Sequence, residues 1–89
     1  MKKYLFDGKH EFYALQIAES TTVIEVVEIV GDNLLLECRR TDIGLFMLFE
    51  NNLKMDCYFG SYLFRSVQSG ELGFISEEDF NKNFKEVKQ

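Results

Sequence analysis

An α+β fold is predicted for this chain: one antiparallel sheet of about five or six strands, arranged as a meander, with two helices in the order β-α-β-β-β-β-β-α. Three observations predict it. Between Leu34 and Ile75 apolar residues recur at every second position in short runs separated by turn-forming clusters. The segment from Thr22 to Gly31 has helical rather than strand spacing of its charges. Finally, the stretch after Ser76 combines a helix-start signature with an i, i+4, i+7 apolar stripe.

Taken in order, His10 to Ala18 sets Tyr13, Leu15 and Ile17 at alternate positions, the pattern of a strand with one apolar face. Thr22 to Gly31 is rich in β-branched residues, which favour a strand. Yet Glu25 and Glu28 share a face only in a helix, and Val23, Ile24, Val27 and Val30 then form its apolar stripe. Thr22 and Glu25 have capping-box spacing, and Gly31 suits the C-terminal stop. Leu34, Leu36 and Cys38 next alternate with Leu35, Glu37 and Arg39, and Thr41-Asp42-Ile43-Gly44 forms a turn. Leu45 to Glu50 is apolar on both faces, so a central strand is expected. Asn51-Asn52 connects it tightly to Leu53, Met55, Cys57 and Phe59, which oppose Lys54, Asp56 and Tyr58. After Gly60, Ser61 to Val67 places Tyr62 and Phe64 opposite Leu63, Arg65 and Val67, and Gln68-Ser69-Gly70 turns into a return strand, Glu71 to Ile75. Ser76 and Asp79 start the last helix, whose stripe is Phe80, Phe84 and Val87.

The 89 residues allow one domain spanning positions 1–89, near the lower size at which a chain is stable alone, where a second copy is a common supplement. Ten Lys and Arg against 15 Asp and Glu leave a net charge of −5, which disfavours general nucleic-acid binding and attraction to anionic membranes. No window approaches the roughly 20 apolar residues of a membrane span, and charge and Gly8 interrupt any secretory start. Cys38 and Cys57 stand apart, with no CxxC pair or Cys/His cluster, so a reduced, cytoplasmic protein without a metal site is expected.

Little in the chain supports catalysis. His10 is the lone histidine, and a general base needs an oriented partner. Glu77, Glu78 and Asp79 open a helix, where the dipole favours negative charge without any chemistry. Gly60, Gly70 and Gly73 match no phosphate loop. The expectation is a protein that is not an enzyme and carries no cofactor.

Gly60-Ser61-Tyr62-Leu63-Phe64-Arg65-Ser66-Val67, then Gly70-Glu71-Leu72, then Phe80 and Phe84 resemble the closing motif of small uncharacterised phage and prophage proteins, often called PGDYG-like. In that motif a Gly-Asp-Tyr turn starts a strand, a Gly-Glu hairpin follows and a final helix carries aromatics. The opening Met1-Lys2-Lys3-Tyr4 is similar too, while Phe59 and Ser61 stand where the motif has Pro and Asp. The resemblance implies a phage origin and a host-cell location, and it carries no activity.

Binding has more residues to work with. Arg39 and Arg40 close a strand, and Arg65 lies near Tyr62 in sequence. Guanidinium groups take phosphate in a fork and aromatic faces stack on bases, so Arg39, Arg40, Arg65, Tyr62 and Tyr13 are the candidate ligand-binding residues for a small nucleotide. The plainer reading is solvated charge paired with Glu37 or Asp42, the commoner fate of surface arginines. Joined to the phage resemblance, these residues lead to the expectation of counter-defence by sequestering a nucleotide-derived immune signal, in a pocket between copies of a homo-oligomer. Two alternatives stand beside it: a non-enzymatic inhibitor that blocks a host defence protein, and a structural or housekeeping phage protein. Nine Phe and four Tyr are many rings for one small core. Tyr4, Phe6, Phe12, Tyr58 and Tyr62 are left without a place by their spacing, and part of this aromatic surface is expected to meet a ligand or a second subunit.

Overall fold

The computed structural model describes residues 1–87. They form β1 (Lys3–Phe6), β2 (His10–Gln16), α1 (Val23–Val30), β3 (Leu35–Arg40), β4 (Gly44–Phe49), β5 (Lys54–Tyr58), β6 (Tyr62–Ser66), β7 (Leu72–Ile75), α2 (Glu77–Asn83) and β8 (Phe84–Glu86). The fold is α+β with antiparallel pairing throughout, as the periodicities indicate.

The strands divide between two sheets instead of one: five in the order β7-β6-β2-β1-β8 and three in the order β3-β4-β5. The expected meander holds for β3, β4 and β5, then breaks after β5. At that point the Gly60 N–H donates to the Ile17 carbonyl and the Ile17 N–H to the Ser61 carbonyl, at 2.7 and 2.8 Å. Backbone bonding thus passes from β5 to the end of β2, and β6 pairs with β2 from Phe12↔Ser66 to Gln16↔Tyr62. Alternation along a strand reports which face is buried but not which neighbour it pairs with.

Two further strands occupy the ends of the chain. β1 pairs with β2 through a three-residue hairpin connection, Asp7 to Lys9, in which Asp7 and Gly8 have φ of 54° and 68°, the left-handed pair that Asp-Gly supplies, and the Lys9 N–H donates to the Phe6 carbonyl at 3.1 Å. At the other end α2 stops one turn earlier than its apolar stripe. Phe84 has φ −112° and ψ 142°, and Phe84 to Glu86 run beside β1 as β8. Phe84 stays buried, but as a strand residue, because β1 offers an otherwise unpaired edge.

α1 begins with a complete capping box: the Glu25 N–H donates to Thr22 Oγ1 and the Thr22 N–H to Glu25 Oε1. Its buried face differs from the expected stripe. Val26, Ile29 and Val30 enter the core, whereas Val23, Ile24 and Val27 are exposed. Val26, Ile29 and Val30 follow i, i+3, i+4, which is as helical as the stripe read from sequence, and a helix apolar apart from Glu25 and Glu28 does not say which of its apolar sides is inward.

Two cores result, on opposite faces of the five-stranded sheet. The larger joins Ile17, Val26, Ile29, Val30 and Leu63 with Leu45, Met47, Phe49, Met55 and Cys57 of the smaller sheet. The second is aromatic and lies under α2: Phe80 stacks on Tyr62 at 3.8 Å and on Phe84 at 4.6 Å, while Tyr4, Phe6, Phe12 and Phe64 meet them edge-on or tilted. Four of the five rings that the spacing left unplaced therefore pack in this second core, half-buried. Tyr58, 57 % exposed, is the one left outward. One small core could not absorb these rings, but two can.

The cysteines sit on the inner face of the smaller sheet. Burial, aided by the nearby Asp56 and Cys38, pushes the Cys57 thiol up to about 12, and burial raises Cys38 as well. The folded state therefore keeps a proton on Cys57 that the unfolded chain gives up above its ordinary 9.0, so stability is complete below about pH 9 and falls as pH rises toward 12. Melting temperature is expected to drop steadily between pH 8.5 and 11, with a shallower slope in Cys57→Ala; equal slopes would show that other groups govern the alkaline limb.

Candidate functional site

Tyr13 and Arg65 face each other across β2 and β6, as directly opposed residues. The Arg65 guanidinium carbon lies 5.1 Å from the centre of the Tyr13 ring, and Lys3 Nζ, on the opposed position of β1, lies 5.7 Å from the same ring. One tyrosine is thus flanked by two cations along a cross-strand row. Each cation is drawn to the negative face of the ring; Lys3 is also paired with Glu11 at 3.7 Å, so among the described residues Arg65 carries the free positive charge of the row.

Arg65 is held from a second side. Its Nη1 donates to the Glu28 carbonyl at 3.4 Å, one of the last carbonyls of α1, where a cation also meets the negative end of the helix dipole. Gly31 makes this placement feasible. It ends α1 at φ 60°, and a Cβ at Gly31 would fall on the guanidinium itself. The glycine read from sequence as a helix stop also clears the path of Arg65 across the helix terminus.

Beside this row lies an open cleft of about 520 Å³ lined by Tyr13, Arg65, the segment Gly31 to Asn33 and the turn Ser66 to Gly70. The turn is braced from within: the Gly70 N–H donates to the Ser66 carbonyl, Ser69 N–H to Ser66 Oγ, and Asn33 Nδ2 donates to the carbonyls of Val30 and Gly70. Asn33 ties the two walls together. The cleft combines an aromatic face, a guanidinium fork, the Asp32 carboxylate and the short polar side chains of the turn, a donor and acceptor set suited to a small polar ligand with an anionic group.

The five residues selected from sequence separate into three groups. Tyr13 and Arg65 meet in the cleft. Tyr62 lies on the opposite face of the five-stranded sheet, stacked in the aromatic core, because an even-numbered step along β6 from Arg65 is needed to share its face. Arg39 and Arg40 belong to the smaller sheet. Arg39 stands on its outer face over the Phe46 ring at 5.2 Å and pairs with Glu37 at 3.6 Å, which is the plain charge-pair outcome. Arg40 reaches the Thr21 carbonyl at 3.5 Å, at the end of α1 away from Arg65. With a rise of about 1.5 Å per residue, Thr21 and Glu28 are about 10 Å apart along the helix, so Arg40 and Arg65 of one chain do not share a site.

Lys3 and the walls Asp32, Asn33 and Ser66 to Gly70 were not apparent from sequence. Asp7-Gly8 carried the signal for Lys3, since it implies a hairpin that sets β1 against β2. For the walls there was no local signal, because they meet only through the pairing of β2 with β6. Among the described residues, no helix is long and apolar enough to cross a membrane. Comparison of the chain with protein-family models, curated proteins and solved structures finds no match to any of them.

Proposed function

We propose that this chain is a non-enzymatic binding protein whose cleft at Tyr13 and Arg65 takes a small nucleotide-type ligand. The carrying observation is the Tyr13 ring flanked by Arg65 and Lys3 at the edge of a cleft of about 520 Å³. A guanidinium pre-set on an aromatic face offers a fork to phosphate, and a cleft of this size lies in the range that holds ligands of that kind. The resemblance of the segment from Gly60 onward to phage and prophage proteins supplies the biological reading: holding a nucleotide-derived immune signal away from its receptor. Binding without turnover is all that such a role requires.

Calorimetry with a panel of cyclic and ADP-ribose-type nucleotides tests the proposal. At least one is expected to bind and to be recovered chemically unchanged. Arg65→Ala should weaken that ligand about 10- to 100-fold, the loss of a charge-assisted contact, and Arg65→Lys should restore only part, since a point charge replaces the fork. Arg39→Ala, on the other sheet, should leave affinity unchanged. Absence of heat across the panel, or full affinity in Arg65→Ala, would overturn the assignment.

A further inference from the structure

The exposed side of α1 is unusual for a helix on a protein surface. Val23, Ile24 and Val27 are 63, 72 and 52 % exposed, on adjoining positions of one face. Leu36 on β3, one of the three strands that α1 contacts most closely, and Ile43 in the turn after Arg40 are each more than 60 % exposed as well. The charges at the two ends of this stripe have opposite sign. Glu28 stands near the C-terminal end, where Arg65 meets its backbone carbonyl and not its carboxylate, while Arg40 lies at the N-terminal end against Thr21. Among the described residues neither Glu28 nor Arg40 has an ion-pair partner. Glu25, by contrast, is engaged in the capping box.

We propose that α1 is the interface of a two-fold homodimer, in which the helices pack antiparallel through Val23, Ile24 and Val27 and each Arg40 pairs with the partner's Glu28. An apolar stripe with acid at one end and base at the other is self-complementary under a two-fold axis, which is the requirement for an interface made of the same patch twice. Thr21 and Glu28 lie symmetrically about Ile24 and Glu25, so an axis there superimposes the basic end of one helix on the acidic end of the other. A parallel arrangement would set Glu28 against Glu28 and align the helix dipoles unfavourably. The three α1 side chains fall short of the roughly 800 Å² per partner of a standard interface, so the interface must draw on apolar surface beyond α1, for which the exposed Leu36 and Ile43 are available. The dimer does not depend on the ligand reading, but it bears on it. Gly31, which lines the cleft, follows Glu28 by about 4.5 Å of helix rise, so an interface centred on α1 ends close to the cleft.

Sedimentation equilibrium of the full chain without ligand, over micromolar concentrations, tests the proposal. A mass of twice 10.4 kDa is expected. Ile24→Asp, at an exposed position, should give a monomer with an unchanged circular dichroism spectrum. Arg40→Glu and Glu28→Arg should each weaken dimerisation about tenfold or more, and the double exchange should restore it. A monomeric wild-type chain overturns the proposal, including one that captures a different protein through this face. So does a dimer indifferent to Ile24→Asp, or one that the double exchange fails to rescue.

Discussion

Phe80→Ala is expected to destabilise the protein by about 3–5 kcal/mol, the range for removing a fully packed ring. Phe80 is 2 % exposed and sits at the centre of the aromatic core, stacked between Tyr62 and Phe84 with Tyr4 against its edge. It is the only buried residue of α2, so the helix has no other anchor of comparable size. A chain of this length is stable by roughly 5–10 kcal/mol, so the substitution removes a large share of the total. The melting temperature should fall by more than about 12 °C, with the near-ultraviolet tyrosine signal lost at lower temperature than the backbone signal as α2 detaches first. Phe80→Leu, which keeps most of the volume, should recover over half of the loss. A melting temperature within a few degrees of wild type in Phe80→Ala would mean that the aromatic face is held by the strands alone.

Gly44→Ala is expected to have an effect of similar size for a different reason. A Cβ at Gly44 would lie 1.9 Å from the Cys57 carbonyl oxygen and 2.8 Å from the Tyr58 Cα. Both are backbone atoms of the strand paired with it, so no rotamer change can relieve the clash. The ladder between β4 and β5 must open, with Met47 and Cys57 on its buried face exposed in part, and the loss should reach or exceed the upper end of the about 1–3 kcal/mol usual for added core volume. Gly70→Ala is the contrasting control. Its φ is 76° but nothing lies within 4 Å of the added carbon, so only the left-handed backbone penalty of about 1–2 kcal/mol applies. Urea midpoints of the two variants compare them directly, and equal values would show that the strand pair adjusts more readily than its geometry implies.

Local patterns were legible where the chain interacts with itself over a few residues. The capping box of Thr22 and Glu25, the start of α2 at Ser76, the hairpin between β6 and β7 and the alternation in β5 all stand where the spacing places them. Each rests on contacts within one turn or one strand, so sequence distance is a fair guide to spatial distance. The inward side of α1 was not legible, since Val23 to Val30 are all apolar apart from two glutamates and any face could serve. Nor was β8, where a free edge of β1 outweighs the helical stripe that continues past Phe84. Of the candidate site, Tyr13 and Arg65 were recognised by residue type, and their company was not: nothing local tells that Tyr13 opposes Arg65 while Tyr62 turns to the other face.

The sequence by itself determined the α+β class, the two helices with their N-terminal caps, and the central strands, because hydrophobic period and capping chemistry act over a few residues. The tertiary structure alone decided that the strands form two sheets, that the aromatics fill a second core under α2, and that Lys3, Tyr13 and Arg65 line up across three strands beside a cleft. Those outcomes depend on which strand edges pair, and pairing is selected by the packing of distant faces against one another. The same selection turned Val26, Ile29 and Val30 inward and left Val23, Ile24 and Val27 facing out, so the surface open to a second copy is a product of the fold.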